Sequence, residues 1–176
     1  FDSLASVGII SAGATTNSNI NVEKEGDIPS LCLSDGLIVT SSTRLNKQFD
    51  QAGYGTTSVD IAAPGGDVYT AIPLQINPAS PYKGEQGTSF AAPMIAGTVA
   101  WLNSVVCKHY LDLMSVNSDS AIGLMRNWIL TSVEPNKSLD TVCVTGGVIC
   151  QPTNTQRSYR ARTHQGREQR KPSSAR

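Results

Sequence analysis

Short β-branched apolar runs alternate with polar loops through the first half of the chain, and a long unbroken apolar stretch follows them. Val7-Gly8-Ile9-Ile10 reads as a buried strand that ends at Ser11-Ala12-Gly13. A loop rich in Asn, Thr and Ser then carries the chain to about Ser30. Leu37-Ile38-Val39-Thr40 predicts a second strand. Val59-Asp60-Ile61-Ala62-Ala63 predicts a third, stopped by Pro64-Gly65-Gly66, and Val68-Tyr69-Thr70-Ala71-Ile72 a fourth, stopped by Pro73. From Ser89 to about Cys107 there is no turn signal, and Phe90, Ala91, Ala92, Met94, Ile95, Val99, Trp101, Leu102 and Val105 crowd every side. That pattern predicts a helix enclosed between layers. Pro93 fits its first turn, where a missing N–H has no partner to lose, and this sets the start near Ser89. Asp119 or Ser120 caps a second helix that runs to about Ser132, with Ile122, Leu124, Met125, Trp128, Ile129 and Leu130 as its apolar set. Strands mixed with helices, one of them buried, predict an α/β layered fold.

Length and composition narrow the class. The chain has 176 residues, 39% hydrophobic and 16% charged, which suits a domain with a real core and excludes an acidic disordered chain or a coiled coil. No run of about 18 apolar residues exists, so no membrane span is expected. The opening Phe1-Asp2-Ser3-Leu4 has neither Met nor a basic and apolar leader, and reads as the middle of a longer chain.

The net charge of zero conceals a split, +6 over residues 151–176 against −6 over residues 1–150. The last stretch has no Leu, Ile, Val, Phe, Met or Trp, so it cannot bury an apolar face. We expect a domain over 1–150 and a basic, disordered tail over 151–176. Such a tail has the charge to meet nucleic acid or an anionic surface. A solvated tail with no partner is the simpler reading, and nucleic acid is not expected as a partner. Cys32, Cys107, Cys143 and Cys150 are too few for a disulfide scaffold, and they show neither a CxxC pair nor zinc spacing, so no metal site is expected. Cys107 sits in an apolar run and reads as core. Cys143 and Cys150 are close enough in sequence to bridge.

The informative segment is Gly87-Thr88-Ser89-Phe90-Ala91-Ala92-Pro93-Met94-Ile95-Ala96-Gly97. It puts a serine at the mouth of the apolar helix, after a glycine that allows a tight turn. Free N–H groups and partial positive charge gather there. A hydroxyl so placed can attack a carbonyl while the Ser89 N–H helps to hold the oxyanion. The plainer alternative is that Ser89 is only a helix cap.

This segment resembles the nucleophile motif of subtilisin-like serine peptidases, G-T-S-x-A-x-P-x-x-A-G, at seven specified positions that include Gly87, Thr88, Ser89 and Pro93. Gly55 to Asp67 is similar to the family's G-x-x-V-D-I-A-A-P-G strand, and Gly8 to Gly13 to the strand that ends in A-A-G-N. The resemblance covers residues 5–150 and sets the start of the family's last helix near Gly146-Gly147-Val148-Ile149. It implies a three-layer α/β fold with a mostly parallel sheet and a buried central helix, truncated at its N-terminal side. It also implies a serine endopeptidase that acts on protein or peptide through an acyl-enzyme at Ser89, with Ser11, Ala12 and Gly13 lining the pocket for the side chain before the cut. The family's oxyanion Asn follows A-A-G directly, where this chain has Ala14. Asn17 takes that role if Ala14-Thr15-Thr16 is an insertion; otherwise it is a polar loop residue. An extracellular location is the family expectation. Calcium is common in the family, but no residue here is assigned to a metal and no cofactor is identified.

A serine of this kind needs a base. No histidine precedes Ser89; the two present are His109 and His164. Asp2, Asp27, Asp35, Asp50, Asp60 and Asp67 lack the D-T/S-G context of the family's acid. The chain therefore reads as the C-terminal half of a catalytic domain whose N-terminal half is the missing partner. The alternative is an inactive remnant of the same fold that serves as a binding or regulatory module.

Overall fold

A computed structural model describes residues 1–149. The basic tail expected over 151–176, with His164 and Cys150, lies outside the described residues. In chain order the elements are α1 (Asp2–Ala5), β1 (Ser11–Ala14), α2 (Val22–Glu25), β2 (Leu37–Thr43), β3 (Ile61–Pro64), β4 (Val68–Ala71), β5 (Tyr82–Glu85), α3 (Thr88–Asn103), α4 (Lys108–Val116), α5 (Ser118–Thr131), β6 (Glu134–Pro135), a 3-10 turn (Lys137–Leu139) and β7 (Gly147–Val148). Five strands form one sheet in the order β1-β2-β3-β7-β6. The first four are parallel, with Ser11 beside Leu37, Thr40 beside Ile61 and Ala62 beside Val148, and β6 closes the far edge antiparallel. β4 and β5 form a separate antiparallel hairpin.

Strand alternation builds two cores from one sheet. Leu37, Val39, Ala62 and Val148 point to one side, where Val22, Val59, Leu139 and Val142 cover them. Ile38, Ile61 and Ala63 point to the other and meet Ala91 and Ile95 of α3, Tyr110 of α4, and Ala121, Met125 and Ile129 of α5. β2 is buried along its whole length, as a central parallel strand with both faces covered must be. Leu37, Ile38, Ile61, Ile95 and Ile129 are fully buried, and each contributes about 1.5–3 kcal/mol by leaving water.

One ion pair ties α5 to the sheet. Arg126 Nη2 donates to Asp60 Oδ1 at 2.6 Å, and the Val39 N–H donates to Asp60 Oδ2 at 2.8 Å. Arg126 Nε also reaches the Leu37 carbonyl at 3.3 Å. Burial pushes the Asp60 carboxyl above its ordinary value, and the Val39 N–H and the guanidinium pull against that rise.

Several expectations need correction. Val7 to Ile10 is not a buried strand: Val7 is 68% exposed and Ile9 49%. A turn at Gly8, whose φ is +84°, follows α1 there, and pairing begins only at Ser11. The apolar helix ends at Asn103, short of Cys107. Near its end the Asn103 amide donates to the Val99 carbonyl (3.1 Å) and the Ser104 hydroxyl to the Trp101 carbonyl (2.6 Å), side-chain bonds that compete with continued helix. α4 then leaves at 108° to α3, and Cys107 is exposed at the bend rather than core.

α3 is buried on its sheet side only. Met94 (37%) and Trp101 (44%) stand exposed on the other, because no described element covers it. Pro93 is the sixth residue of α3 and not in its first turn. It therefore removes the bond that the Ser89 carbonyl would otherwise accept. β4 joins the hairpin rather than the main sheet, and Gly147–Val148 is a strand rather than a helix start. α5 begins at Ser118, with Asn117 Oδ1 accepting the Ser120 N–H at 3.0 Å.

Two outcomes are expected. Arg126→Met leaves Asp60 buried without its cation and costs on the order of 3 kcal/mol, read as a lower urea midpoint; pairing it with Asp60→Asn restores part of that loss. The second concerns Glu23, whose Oε1 accepts from Thr57 N (2.6 Å), Thr57 Oγ1 (2.7 Å), Ser58 N (3.0 Å) and Ser58 Oγ (3.3 Å). The Thr57 N–H leads in holding this carboxyl below its ordinary 4.5, against a smaller opposing effect of burial. A depressed folded value gives stability that is present above the ordinary value and lost as pH falls through the folded one. Glu23→Gln therefore flattens the acid limb of the urea midpoint plotted against pH below 4.5.

Candidate active site

The parallel strands deliver their carboxyl ends to one place, where open α/β sheets hold ligands. β3 exits into Gly65, whose carbonyl accepts the Gly87 N–H at 2.8 Å. A side chain at Gly65 would meet the Gly87 carbonyl oxygen and Ser42 Oγ at 2.6 Å each, so only glycine lets the two segments approach. Gly87 has φ +151°, in the range that favours glycine, and turns the chain into α3.

β1 exits through Thr15 and Thr16 to Asn17. Asn17 Oδ1 accepts the Thr88 N–H at 2.8 Å, and the Thr88 hydroxyl is shared between Asn17 Oδ1 (2.9 Å) and the Thr15 carbonyl. The carbonyl end of the Asn17 amide is thus fixed to the mouth of α3. Its Nδ2 makes no hydrogen bond among the described residues.

Ser89, the second residue of α3, is exposed. Its hydroxyl likewise makes no hydrogen bond among the described residues, and its N–H is one of the helix's first amides, which lack intrahelical partners. A Cβ on Gly87 would stand 3.2 Å from Ser89 Oγ, 3.2 Å from Asn17 Oδ1 and 3.3 Å from Asn17 Nδ2, so both ends of the amide lie near that point. The structure therefore brings Asn17, Gly87, Thr88 and Ser89 together at a positively polarised helix end. Ser11, Ala12 and Gly13 lie lower, within β1. The side of Gly13 where a side chain would stand is filled by Pro29 Cγ (2.9 Å) and Leu37 Cδ1 (3.2 Å). Pro93 is exposed on α3.

A cleft of about 100 Å³ opens beside these groups, lined by Asn17, Ser42, Asp50, Ala52, Gln86, Gly87 and Thr88. A larger one of about 460 Å³ lies at the other end of the strands, among Asp2, Asp35 and Asp119. No three described His, Cys, Asp or Glu side chains group as a metal site requires. His109 is the one histidine among the described residues. It sits in the first turn of α4, beyond the 16 residues of α3, which span about 24 Å at 1.5 Å per residue. Asp60 is committed to Arg126, and Asp27 to Ser30 and the Thr16 N–H. Sequence reasoning missed two parts of this arrangement. Thr88 holds Asn17, and the Thr in the motif was the available signal. Ser42 and Asp50 line the cleft, and nothing in their sequence context marks them.

The geometry defines a mostly parallel α/β protein with a free serine hydroxyl and a free amide donor at one helix mouth. The model of the subtilase family matches residues 3–165, and the chain belongs to that family. Among solved structures it is similar to the A-subunit of the AB5 toxin from E. coli, at 18% identity and a TM-score of 0.58, a likeness of fold. The match covers 84% of this chain and 51% of that one, so the chain spans about half the length of that structure. No curated protein matches. No single described helix is long and apolar enough to cross a membrane.

Thr88→Val tests the coupling of Asn17 to α3. It removes one donor to Asn17 and leaves the buried Thr15 carbonyl unpaired, for a cost of about 1–3 kcal/mol. Faster amide hydrogen exchange at Thr88 is the expected readout.

Proposed function

We propose that this chain carries the nucleophile and oxyanion half of a serine endopeptidase site: Ser89 Oγ attacks the substrate carbonyl, and Asn17 Nδ2 with the Ser89 N–H holds the oxyanion. The observation that carries this reading is that Ser89 Oγ and Asn17 Nδ2, neither with a hydrogen bond among the described residues, both lie within 3.3 Å of the place a Cβ on Gly87 would take. Asn17 is suited to the task because its other end is already fixed by Thr88, so it need not reorganise when charge develops. Ser11, Ala12 and Gly13 flank the acyl side of the substrate from β1.

Ser89 bears a proton that must leave as the bond to the carbonyl forms, and no described side chain stands ready to take it. We therefore assign the base and its orienting acid to residues outside the described ones, contributed by an N-terminal half of the domain. That half is this chain's structural partner. The competing reading, a binding module that has lost catalysis, draws on the same absence of a nearby histidine.

Chemical rescue separates the two. Imidazole added as an external base, with an activated ester as acyl donor, is expected to acylate Ser89. Mass spectrometry locates the acyl group, Ser89→Ala abolishes it, and Asn17→Ala slows it by about 10²-fold. No acylation at Ser89 supports the binding module. Fast peptide hydrolysis without imidazole that Ser89→Ala removes shows that the chain supplies its own base.

A further inference from the structure

We propose that the cleft beside Asn17 is a subsite for a cationic side chain, lysine foremost, on the residue that follows the scissile bond, with Asp50 as its acceptor. The proposal rests on the assignment of Ser89 and Asn17 above. At about 100 Å³ the cleft admits roughly three water-sized groups, enough for an ammonium and its last methylenes. Its lining mixes polar and apolar surface, with Asp50, Ser42, Asn17, Gln86 and Thr88 as the polar residues beside Ala52 and Gly87.

The Asp50 side chain is only 8% exposed. Its Oδ1 accepts from Arg44 Nε at 3.0 Å, whereas Oδ2, which lies against Gly66, has a single weak hydrogen bond, Ser42 Oγ at 3.5 Å, and keeps acceptor capacity to spare. Arg44 itself is 56% exposed, so its charge sits largely in water while the carboxylate lines the cleft. An ammonium there gains a charge-assisted hydrogen bond. An aliphatic group desolvates Oδ2 further without giving it a donor, and an acidic one is repelled.

Position in the fold assigns the side of the bond. Ser11 to Gly13 precede Asn17 on β1, and the cleft lies past Asn17, over the carboxyl ends of β2 and β3. A peptide laid across Ser89 with its carbonyl at Asn17 Nδ2 thus has its acyl part over β1 and its leaving part over the cleft.

The test uses dipeptide amides that mimic the leaving product: Lys-Ala, Leu-Ala and Glu-Ala amide, each titrated into the 176-residue protein and followed by NMR. Lys-Ala amide is expected to shift the backbone signals of Asp50, Ala52 and Gly87 and to bind about tenfold more tightly than Leu-Ala amide. Glu-Ala amide is expected to leave those signals unmoved. Asp50→Asn removes the preference for lysine. Arg44→Gln keeps the carboxylate in place and preserves or enlarges the preference, which separates recognition by Asp50 from a general loosening of its loop. Gln86→Trp, at an exposed rim position, roofs the cleft and blocks Lys-Ala amide with Asp50 intact. Equal binding of Lys and Leu, shifts elsewhere on the protein, or a preference that survives Asp50→Asn would overturn the proposal. Loss of imidazole-dependent acylation with the lysine shifts intact refutes the peptidase reading and with it the leaving-side assignment, and leaves a lysine-binding cleft at Asp50; the reverse result refutes the subsite alone.

Discussion

The hydrogen bonds from Thr88 to Asn17 are the constraint on which the site depends. They join two pieces of chain 71 residues apart, the exit of β1 and the first residue of α3. An amide has an acceptor end and a donor end, and here the acceptor end is spent on the helix's own N–H and hydroxyl. That leaves the donor end near Gly87 and without a hydrogen bond among the described residues. An aspartate in the same place would accept from Thr88 equally well and have nothing to donate. The arrangement explains why asparagine suits this position without any appeal to the loop around it.

The frame beneath the site is held by a second polar contact. Asp60 precedes β3 and meets Arg126 from α5, with the Val39 N–H of β2 on its other oxygen. One carboxylate thus fixes the spacing of two strands and the helix that covers them. Burial costs the charge, and guanidinium and amide offset that cost. β2 carries Ser42 to the cleft, and β3 leads into Gly65, whose carbonyl accepts the Gly87 N–H. The Asp inside the Val59-Asp60-Ile61-Ala62-Ala63 segment is therefore structural, while the glycine that ends the segment shapes the site.

What the sequence made legible follows from what writes a pattern. β2, β3 and α5 bury side chains at regular intervals, so Leu37 to Val39, Ile61 to Ala63 and Ile122 to Ile129 announced them. α2 and α4 are short and rest on single anchors, Val22 and Tyr110, and one buried residue makes no period. The Val7 to Ile10 run misled because β-branched residues look alike whether buried or exposed, and only pairing decides. Ser89 was legible through its motif. Asn17 was legible only through resemblance, with three residues intervening where the family has none, because an asparagine in a loop full of asparagines carries no signal of its own. Asp50 left no trace, since its neighbourhood with Asn17 exists only once β1 and β2 lie side by side.

α3 shows how pattern and burial can part company for a physical reason. Its composition is apolar on all sides, yet among the described residues only the Thr88, Ala91, Ala92 and Ile95 face is enclosed. Small residues on that face let the helix settle close to the sheet, which is how Ser89 comes within reach of a loop that leaves β1. On the opposite face Met94 and Trp101 remain in contact with solvent, and exposed side chains of that size gain nothing from the water they touch. Pro93 adds to the imbalance by leaving the Ser89 carbonyl without its helical partner. The end of α3 that carries the hydroxyl is therefore held mainly by Asn17, Thr15 and Gly65, contacts from the sheet, and only weakly by the helix's own backbone. The position of Ser89 is set by the segments at the strands' ends more than by the helix on which it stands.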